Sequence, residues 1–428
     1  MNTSTHTDQH EVRVNDREQL IYLLTEAAEI EHGLMCTYLY AGWSLKQSAS
    51  EGVTPAQLDA IERWRKEIRS VAMEEMAHLA TVNNLLMSIG SPPHFRRQNF
   101  PVAAGYHPSS LVVRLAPLTR DTLAHFVYLE RPEGMEMAQA KGFESPTSYE
   151  RRPSATRLTP SLEDFDTVGH LYRGIQQGFE NLAGRLGESA LFVGSPDAQL
   201  GPDIMSMPGL VTVTNLRSAL QAIEVIIEQG EGGGRNMENS EESHFARFVA
   251  MAAEYDAFLR DDPDFLPHRA IAFDPVMFAP LPGAPGCHVD ARDSARVLDL
   301  ANATYGLMLR LLASGTGIAA GGKARRRLEI DGAIGLMHVV HELGVLLTQL
   351  PAGSEFGPDA TPHAGMNFHL PRSGLVLPQL GAGAALLAER ANEIALALDV
   401  LAASIPALDA KLAGRLRELG AALAASEP

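Results

Sequence analysis

Two long segments of helical periodicity, separated by a short break, constrain the fold of this chain more than any other feature. Between residues 16 and 46 apolar side chains recur at three- and four-residue intervals, and Asp16 stands where a helix N-cap is expected. The stretch GVTP at 52–55 ends that pattern and offers a first-turn proline to a second helical segment, from about 56 to 89. A connection this short predicts an antiparallel helical hairpin.

A second helical pair is predicted after a long, proline-rich crossover at 91–160, which holds one short helix near 119–130. Its helices span 161–187 and about 213–232, and another helix runs from about 240 to 260. This order, in which a long crossover joins two helical hairpins, is the connectivity of a ferritin-like four-helix bundle. We therefore expect an all-α fold.

The proline- and glycine-rich run APLPGAPG at 279–286 indicates a domain boundary. We expect a flexible tail at 1–15, the bundle with its long crossover at 16–278, a linker at 279–290 and a C-terminal helical domain at 291–428. No strand pattern is predicted. The C-terminal helical stretches are expected at roughly 291–313, 323–349, 377–404 and 406–425.

Charge and cysteine content narrow the function. Among 428 residues, 52 are acidic and 35 basic, and the formal net charge of −17 disfavours nucleic-acid and anionic membrane partners. The two cysteines, Cys36 and Cys287, exclude a disulfide framework and a four-cysteine metal site. Because neither a signal peptide nor an uninterrupted apolar run of membrane-spanning length is found, we expect a cytoplasmic protein. A homodimer is compatible with the sequence.

The second helical segment contains the motif Glu75-x-x-His78, which places a carboxylate and an imidazole on one helix face. Such a pair in isolation is more often a surface ion pair than a metal site. Here its neighbours are mostly apolar, and buried ionisable groups are rare unless they are paired or bind a metal. Glu31 of the first helix and Glu75 of the second lie at similar distances from the hairpin turn. At a rise of about 1.5 Å per residue, their heights along the two helices differ by about 6 Å.

The second hairpin repeats this arrangement. His170 and Glu228 lie at similar distances from the turn between their helices, Glu231 follows three residues after Glu228, and His244 lies beyond a glycine loop. Carboxylates and histidines that converge from four helices form a di-metal carboxylate site. Mixed oxygen and nitrogen ligands without a thiolate suit iron or manganese, and we expect two iron ions.

Several members of this set have an ordinary structural alternative. Glu31 can serve as an ion-pair acid, and His170 can be a buried histidine bonded to the backbone. Glu180 is the other candidate ligand of its helix, although it lies nearer the helix end. Glu241, in Glu241-x-x-His244, can fold back toward the site or cap the next helix.

Four stretches between residues 27 and 248 resemble the ferritin-like domain of the iminophenyl-pyruvate dimer synthase family: AAEIEHGLMCTYLYAGWSLK, EEMAHLATVNNLLMSIG, IIEQGEG and SHFARF. The resemblance continues in FVYLERPE, GLMHVVHELGVLLTQLP and HAGMNFHL. That family includes enzymes that couple oxidised tryptophan units in violacein and rebeccamycin biosynthesis. Because its named members are longer, the resemblance implies a shortened relative that keeps the bundle and the helical region after it.

Two functions follow as hypotheses. The first is a metal-dependent oxidoreductase that uses dioxygen on a small amino-acid-derived metabolite, with the metal held by Glu31, Glu75, His78, His170, Glu228, Glu231 and His244. The alternative is a metal-binding or scaffold bundle without catalysis, because a fold alone does not fix a function.

Overall fold

A computed structural model describes most of the chain: residues 12–145, 149, 151, 158–232, 242–317, 322–353, 362–372, 380–409 and 411–426. Most of the predicted tail lies outside these residues, as does Glu241. The described residues form an all-α protein, as predicted. Its helices are α1 Arg17–Ser44, α2 Pro55–Ser88, α3 Arg120–Leu129, α4 Val168–Leu186, α5 Glu188–Leu191, α6 Leu216–Gly230, α7 His244–Asp261, α8 Arg292–Gly315, α9 Gly322–Leu347, α10 Leu380–Ala402 and α11 Lys411–Ala425.

The first hairpin begins and ends within two residues of the predicted positions. The side chain of Asp16 accepts a hydrogen bond from the backbone N–H of Gln19 and so caps α1. At the start of α2, Thr54 and Gln57 form a capping box around the first-turn residue Pro55. These local contacts satisfy backbone donors that the helix itself leaves free, which explains why the sequence located both ends.

The crossover between α2 and α4 contains α3, as predicted, but α4 begins later than expected. The described residues directly before α4 lie outside any helix, and the Gln19 side chain exchanges two hydrogen bonds of 2.9 Å with the backbone of Ser161. The side chain of Thr167 then caps the helix by accepting from the N–H of His170. The predicted start at 161 is therefore wrong, since Ser161 is tied to α1 instead of entering the helix.

Helices α1, α2, α4 and α6 form the four-helix bundle. Helix α1 packs along α2 and against α4, α4 packs on α6, and α7 contacts α3 and α2. This arrangement brings the end of α3 and the first turn of α7 to the middle of the α1–α2 hairpin, where the candidate site lies.

The C-terminal helices α8–α11 pack on one another and meet the bundle through α8 and α9. Trp43 of α1 donates a hydrogen bond of 2.8 Å to Nδ1 of His341. A Cβ atom at Gly344 would lie only 2.4 Å from the Trp43 ring, so glycine permits this close approach. The buried apolar side chains of the two parts form one continuous core. The division at 279–290 remains a prediction about folding units.

Two short strands lie just before and within the predicted linker. Strands β1 Pro275–Val276 and β2 Cys287–His288 pair in parallel, which the sequence pattern did not indicate. Two residues are too few to show the alternation on which strand prediction depends. Among the described helices, α9 is long and apolar enough to cross a membrane, but half of that apolar stretch is buried inside the protein, as in an ordinary core helix.

Candidate metal centre

Glu75 lies at the centre of the buried polar cluster, and each of its carboxylate oxygens faces a different histidine. Oε2 is 3.1 Å from Nδ1 of His78, one helical turn further along α2. Oε1 is 3.1 Å from Nδ1 of His244, the first residue of α7. All three side chains are almost completely buried. A carboxylate placed in this way has the geometry to bridge two cations.

Two overlapping groups of candidate ligands share Glu75. In the first, Glu31 of α1 joins Glu75 and His78, and its Oε2 is 3.4 Å from Nδ1 of His78. In the second, Glu130 at the end of α3 joins Glu75 and His244, with its Oε1 3.7 Å from Nδ1 of His244. Within each group the ligand atoms lie within 4.8 Å of one another, which is close enough for a single ion.

The outer nitrogen of each histidine has a partner that orients the ring. Nε2 of His78 lies 2.8 Å from Oε1 of Gln229, and Nε2 of His244 lies 3.1 Å from Oε2 of Glu74. Both partners are acceptors, so each Nε2 directs its proton outward and each Nδ1 faces the carboxylates of the cluster, where a proton or a metal ion can bind it. Metal-binding histidines are generally oriented in this way.

Two buried tyrosines hold the outer carboxylates. The hydroxyl of Tyr172, on α4, donates to Oε1 of Glu31, and the hydroxyl of Tyr38, on α1, donates to Oε1 of Glu130. Burial and the adjacent carboxylates raise the pKa of both tyrosines well above the usual value. Both therefore remain protonated donors near neutral pH.

The buried carboxylates and histidines of the cluster shift one another's pKa values. Burial and the neighbouring Glu75 raise the pKa of Glu31 to about 8. Burial alone would also raise the pKa of Glu75, but His244 and His78 hold it well below the usual value. Burial disfavours a proton on His78, yet its hydrogen bonds to Glu31 and Glu75 raise its pKa to about 10. The carboxylates therefore require positive charge beside them.

The donor set fits a metal, as an unsatisfied buried atom shows. Within the described part of the chain, Nδ1 of His244 makes no hydrogen bond, although Glu75 lies 3.1 Å away. A nitrogen and a carboxylate oxygen at this distance need a proton or a metal ion between them, and, although burial opposes it, the neighbouring carboxylates raise the pKa of His244 well above its usual value. The adjoining cavity has a volume of about 20 Å³, enough for an object the size of a water molecule. Oxygen and nitrogen donors without sulfur suit iron or manganese.

Comparison with known proteins identifies the family. Residues 24–253, more than half of the chain, match the family described as ferritin-like. The chain belongs to the ferritin-like family. This match spans every element that contributes to the buried cluster, from α1 to the first half of α7.

Two curated relatives and one solved structure are similar to this ferritin-like protein. Dichlorochromopyrrolate synthase of Lentzea aerocolonigenes is 28% identical over 79% of this chain and 35% of its own length. The 2-imino-3-(indol-3-yl)propanoate dimerase of Chromobacterium violaceum is 28% identical over 80% of this chain and 33% of its own. The chain thus spans about a third of each relative. A ferritin-like protein from Caulobacter vibrioides, known from a crystal structure, is 19% identical in sequence. The match covers 77% of this chain and 97% of that chain, with a TM-score of 0.44. The two relatives confirm the resemblance to the dimer synthase family.

Four of the residues predicted from the sequence meet in this ferritin-like site: Glu31, Glu75, His78 and His244. A fifth, Glu231, lines the cavity from the end of α6. Its oxygens are already engaged by the Thr167 hydroxyl at 3.1 Å and by the backbone N–H of Glu133 at 3.3 Å. Glu231 therefore supports the wall of the cavity.

Three candidates lie elsewhere. Nδ1 of His170 accepts a hydrogen bond of 3.3 Å from the backbone N–H of Asp166, which is the alternative that the sequence had left open. Glu180 is exposed on α4. Glu228 lines a groove on the outer side of α6 and not the cavity. Residues 170 and 172 are about 200° apart around a helix, so the orientation that turns Tyr172 inward turns His170 away.

Glu130 is the residue that sequence reasoning missed. It lies in the crossover, where no bundle helix was expected, directly after the buried apolar run Phe126–Leu129. An acid that follows such a run, within the family-like segment FVYLERPE, was the available signal. Glu130 offers the cluster a carboxylate that α4 does not, because Glu180, the acid of α4, is exposed.

Proposed function

We propose that this ferritin-like protein binds two metal ions, most favourably iron, and acts as an oxidoreductase on a small amino-acid-derived metabolite with dioxygen. The observation that carries the proposal is the position of Glu75, whose two oxygens each face the Nδ1 atom of a different histidine. Glu31 and Glu130 would complete the two metal positions. A cytoplasmic location is part of this proposal, and the ferritin-like fold is compatible with it.

The protein side chains would hold the metal ions, orient the ligands and exclude water. When bound, two ferrous ions would supply electrons to dioxygen. Gln229 and Glu74 keep the histidine rings oriented, and Tyr172 and Tyr38 keep the outer carboxylates in place. The apolar walls of the cavity, including Leu34 and Ile226, limit the access of water.

The organic substrate would bind beside the metal centre, in a groove of about 1160 Å³ between α2, α6 and α7. Glu74 and Gln229 line this groove and also contact the metal-facing histidines, so the two spaces share a wall. Trp64, Met73 and Met207 provide apolar and polarisable surface suited to an aromatic molecule.

The names of the relatives support this class of substrate. One relative is named as a dimerase of 2-imino-3-(indol-3-yl)propanoate, which is an indole-bearing imino acid. Because this chain spans only about a third of that relative, we propose the substrate class and do not extend the dimerisation reaction to it.

A metal-binding bundle without catalysis is the second candidate, and the size of the inner cavity favours it. About 20 Å³ cannot hold an amino-acid-derived molecule, so such a molecule would reach the metals only if the shared wall moved. A protein that uses the bundle only to hold metal needs no such movement.

Anaerobic loading with ferrous iron followed by dioxygen distinguishes the candidates. For the oxidoreductase we expect two iron ions per chain, consumption of dioxygen and a new near-ultraviolet absorbance. An indole-bearing amino acid or imino acid should then be oxidised in proportion to the oxygen consumed. Binding of iron without oxygen consumption would favour the scaffold, and no bound metal would contradict both.

A further inference from the structure

The two candidate metal positions are built from matching parts. Each receives one oxygen of the shared residue Glu75, one histidine Nδ1 atom, and one glutamate that accepts a hydrogen bond from a buried tyrosine. The first position consists of Glu31, Glu75 and His78 with Tyr172, and the second of Glu75, Glu130 and His244 with Tyr38.

The two positions differ in the group that contacts Nε2 of the histidine, on the side of the ring away from the cluster. His78 has the neutral amide of Gln229 behind it, with Nε2 and Oε1 2.8 Å apart. His244 has the carboxylate of Glu74 behind it, with Nε2 and Oε2 3.1 Å apart. A charged acceptor draws the Nε2 proton more strongly than an amide does, which makes the opposite nitrogen a stronger electron donor.

The charge on Glu74 is fixed by a neighbouring arginine. Nη1 of Arg247 lies 2.9 and 3.0 Å from the two oxygens of Glu74. Arg247 also pairs with Glu67, at 3.1 Å between Nε and Oε2, so its own charge is shared between two acids. The group behind His244 therefore carries net negative charge, whereas Gln229 carries none.

We propose that the two metal positions are unequal, and that the position at His244 binds its ion more tightly and fills first. Glu74 acts here as a positioning residue that strengthens His244 as a ligand. This inference rests on the proposed metal centre and adds an order of filling to it.

Titration of the metal-free, full-length protein with cobalt(II) alone tests the proposal. Isothermal titration calorimetry together with the visible absorption of bound cobalt should show two steps whose dissociation constants differ by about tenfold or more. His244→Ala should abolish the tighter step, and His78→Ala should abolish the weaker one.

Substitutions that keep the shape of a side chain but change its charge show whether charge or packing sets the affinity of each step. Glu74→Gln should weaken the tighter step by about 10- to 100-fold, because it replaces the carboxylate by an amide of the same size. Gln229→Glu should tighten the weaker step and bring the two steps closer together. Glu67→Gln is the graded comparison and should weaken the tighter step less than Glu74→Gln does, because Glu67 acts only through Arg247 and has no contact with either histidine in the described residues.

The outcomes separate this inference from the proposed function. Two equal steps, loss of the tighter step in His78→Ala, or the same result for Glu74→Gln and Glu67→Gln would overturn the unequal positions while leaving a two-metal site in place. A protein that binds no cobalt at all would contradict the metal centre itself.

Discussion

Nδ1 of His244 lies 3.1 Å from Oε1 of Glu75, although the two residues belong to helices far apart in the sequence. The other oxygen of Glu75 stands at the same distance from His78. One buried carboxylate thus connects His78 of α2 with His244 of α7, and the proposed site for two ions depends on its position.

Replacement of His78 tests the first metal position. His78→Ala should remove most of the metal bound there and leave the helical content largely intact, because the apolar helix faces hold the bundle. Glu75→Ala/His78→Ala should be little worse at that position, but it should also weaken the second position and so lower the total metal content further, because Glu75 is shared by both. Elemental analysis and circular dichroism measure the two effects. His170→Ala is the control: equal loss of metal in both single variants would argue against the geometric assignment.

Glu130 and Glu228 provide a direct comparison of structure with sequence. Glu130→Gln should lower the metal content from two ions toward one, because the amide removes a charged oxygen donor from the buried cluster. Glu228→Gln should leave the metal content unchanged, since Glu228 lines the outer groove. Metal analysis of the two purified variants is sufficient. If Glu228→Gln lost metal and Glu130→Gln did not, the ligand set given by the structure would be wrong.

Two glycines of α4 should respond oppositely to alanine. A Cβ atom at Gly169 would lie 1.9 Å from Oε1 of Glu231, whereas one at Gly184 would meet nothing within 4 Å. Gly169→Ala should therefore displace the Glu231 carboxylate from its hydrogen bonds with Thr167 and Glu133, and the loss of these buried bonds should lower the free energy of unfolding by about 1–3 kcal/mol. Gly184→Ala should raise it by about 0.5–1 kcal/mol through the better helix propensity of alanine. Urea denaturation measures both, and equal stability of the two variants would contradict the close contact at Gly169.

A buried histidine away from the metal centre should make stability depend on pH. Burial lowers the pKa of His125 to about 3, from about 6.5 in the unfolded chain. The unfolded state therefore binds the proton more readily, and the contribution of neutral His125 is present above pH 6.5 and lost as the pH falls toward 3. The loss can reach about 1.4 kcal/mol per pH unit.

Comparison with a variant isolates this residue from the other acids and histidines. His125→Gln keeps a side-chain donor for the backbone oxygen of Val112, which Nε2 of His125 reaches at 2.7 Å. The variant should lose less stability than the wild type between pH 6.5 and 4 in urea denaturation. Parallel stability curves for the two proteins would show that His125 does not titrate as its burial predicts.

The sequence alone predicted the hairpin of α1 and α2 and the meeting of Glu31 with Glu75 and His78. Caps and turns are local, and an antiparallel hairpin fixes the relative height of residues by counting from the turn. The same local signals predicted the ends of most other helices to within a few residues, but not the start of α4. Thr167 caps that helix, and a distant contact between Gln19 and Ser161 holds the preceding residues outside it.

Only the tertiary structure decided which side chains face the centre. Counting from a turn gives height along a helix but not rotation about its axis, so Tyr172 and not His170 points toward Glu31. Glu130 reaches the site because the packing of α3 against α7 carries a crossover residue inward, and no periodicity within the crossover encodes that. The choice between a carboxylate and an amide behind each histidine was likewise fixed by how α6 and α7 lie on α2, since such contacts between helices have no signature in a single sequence.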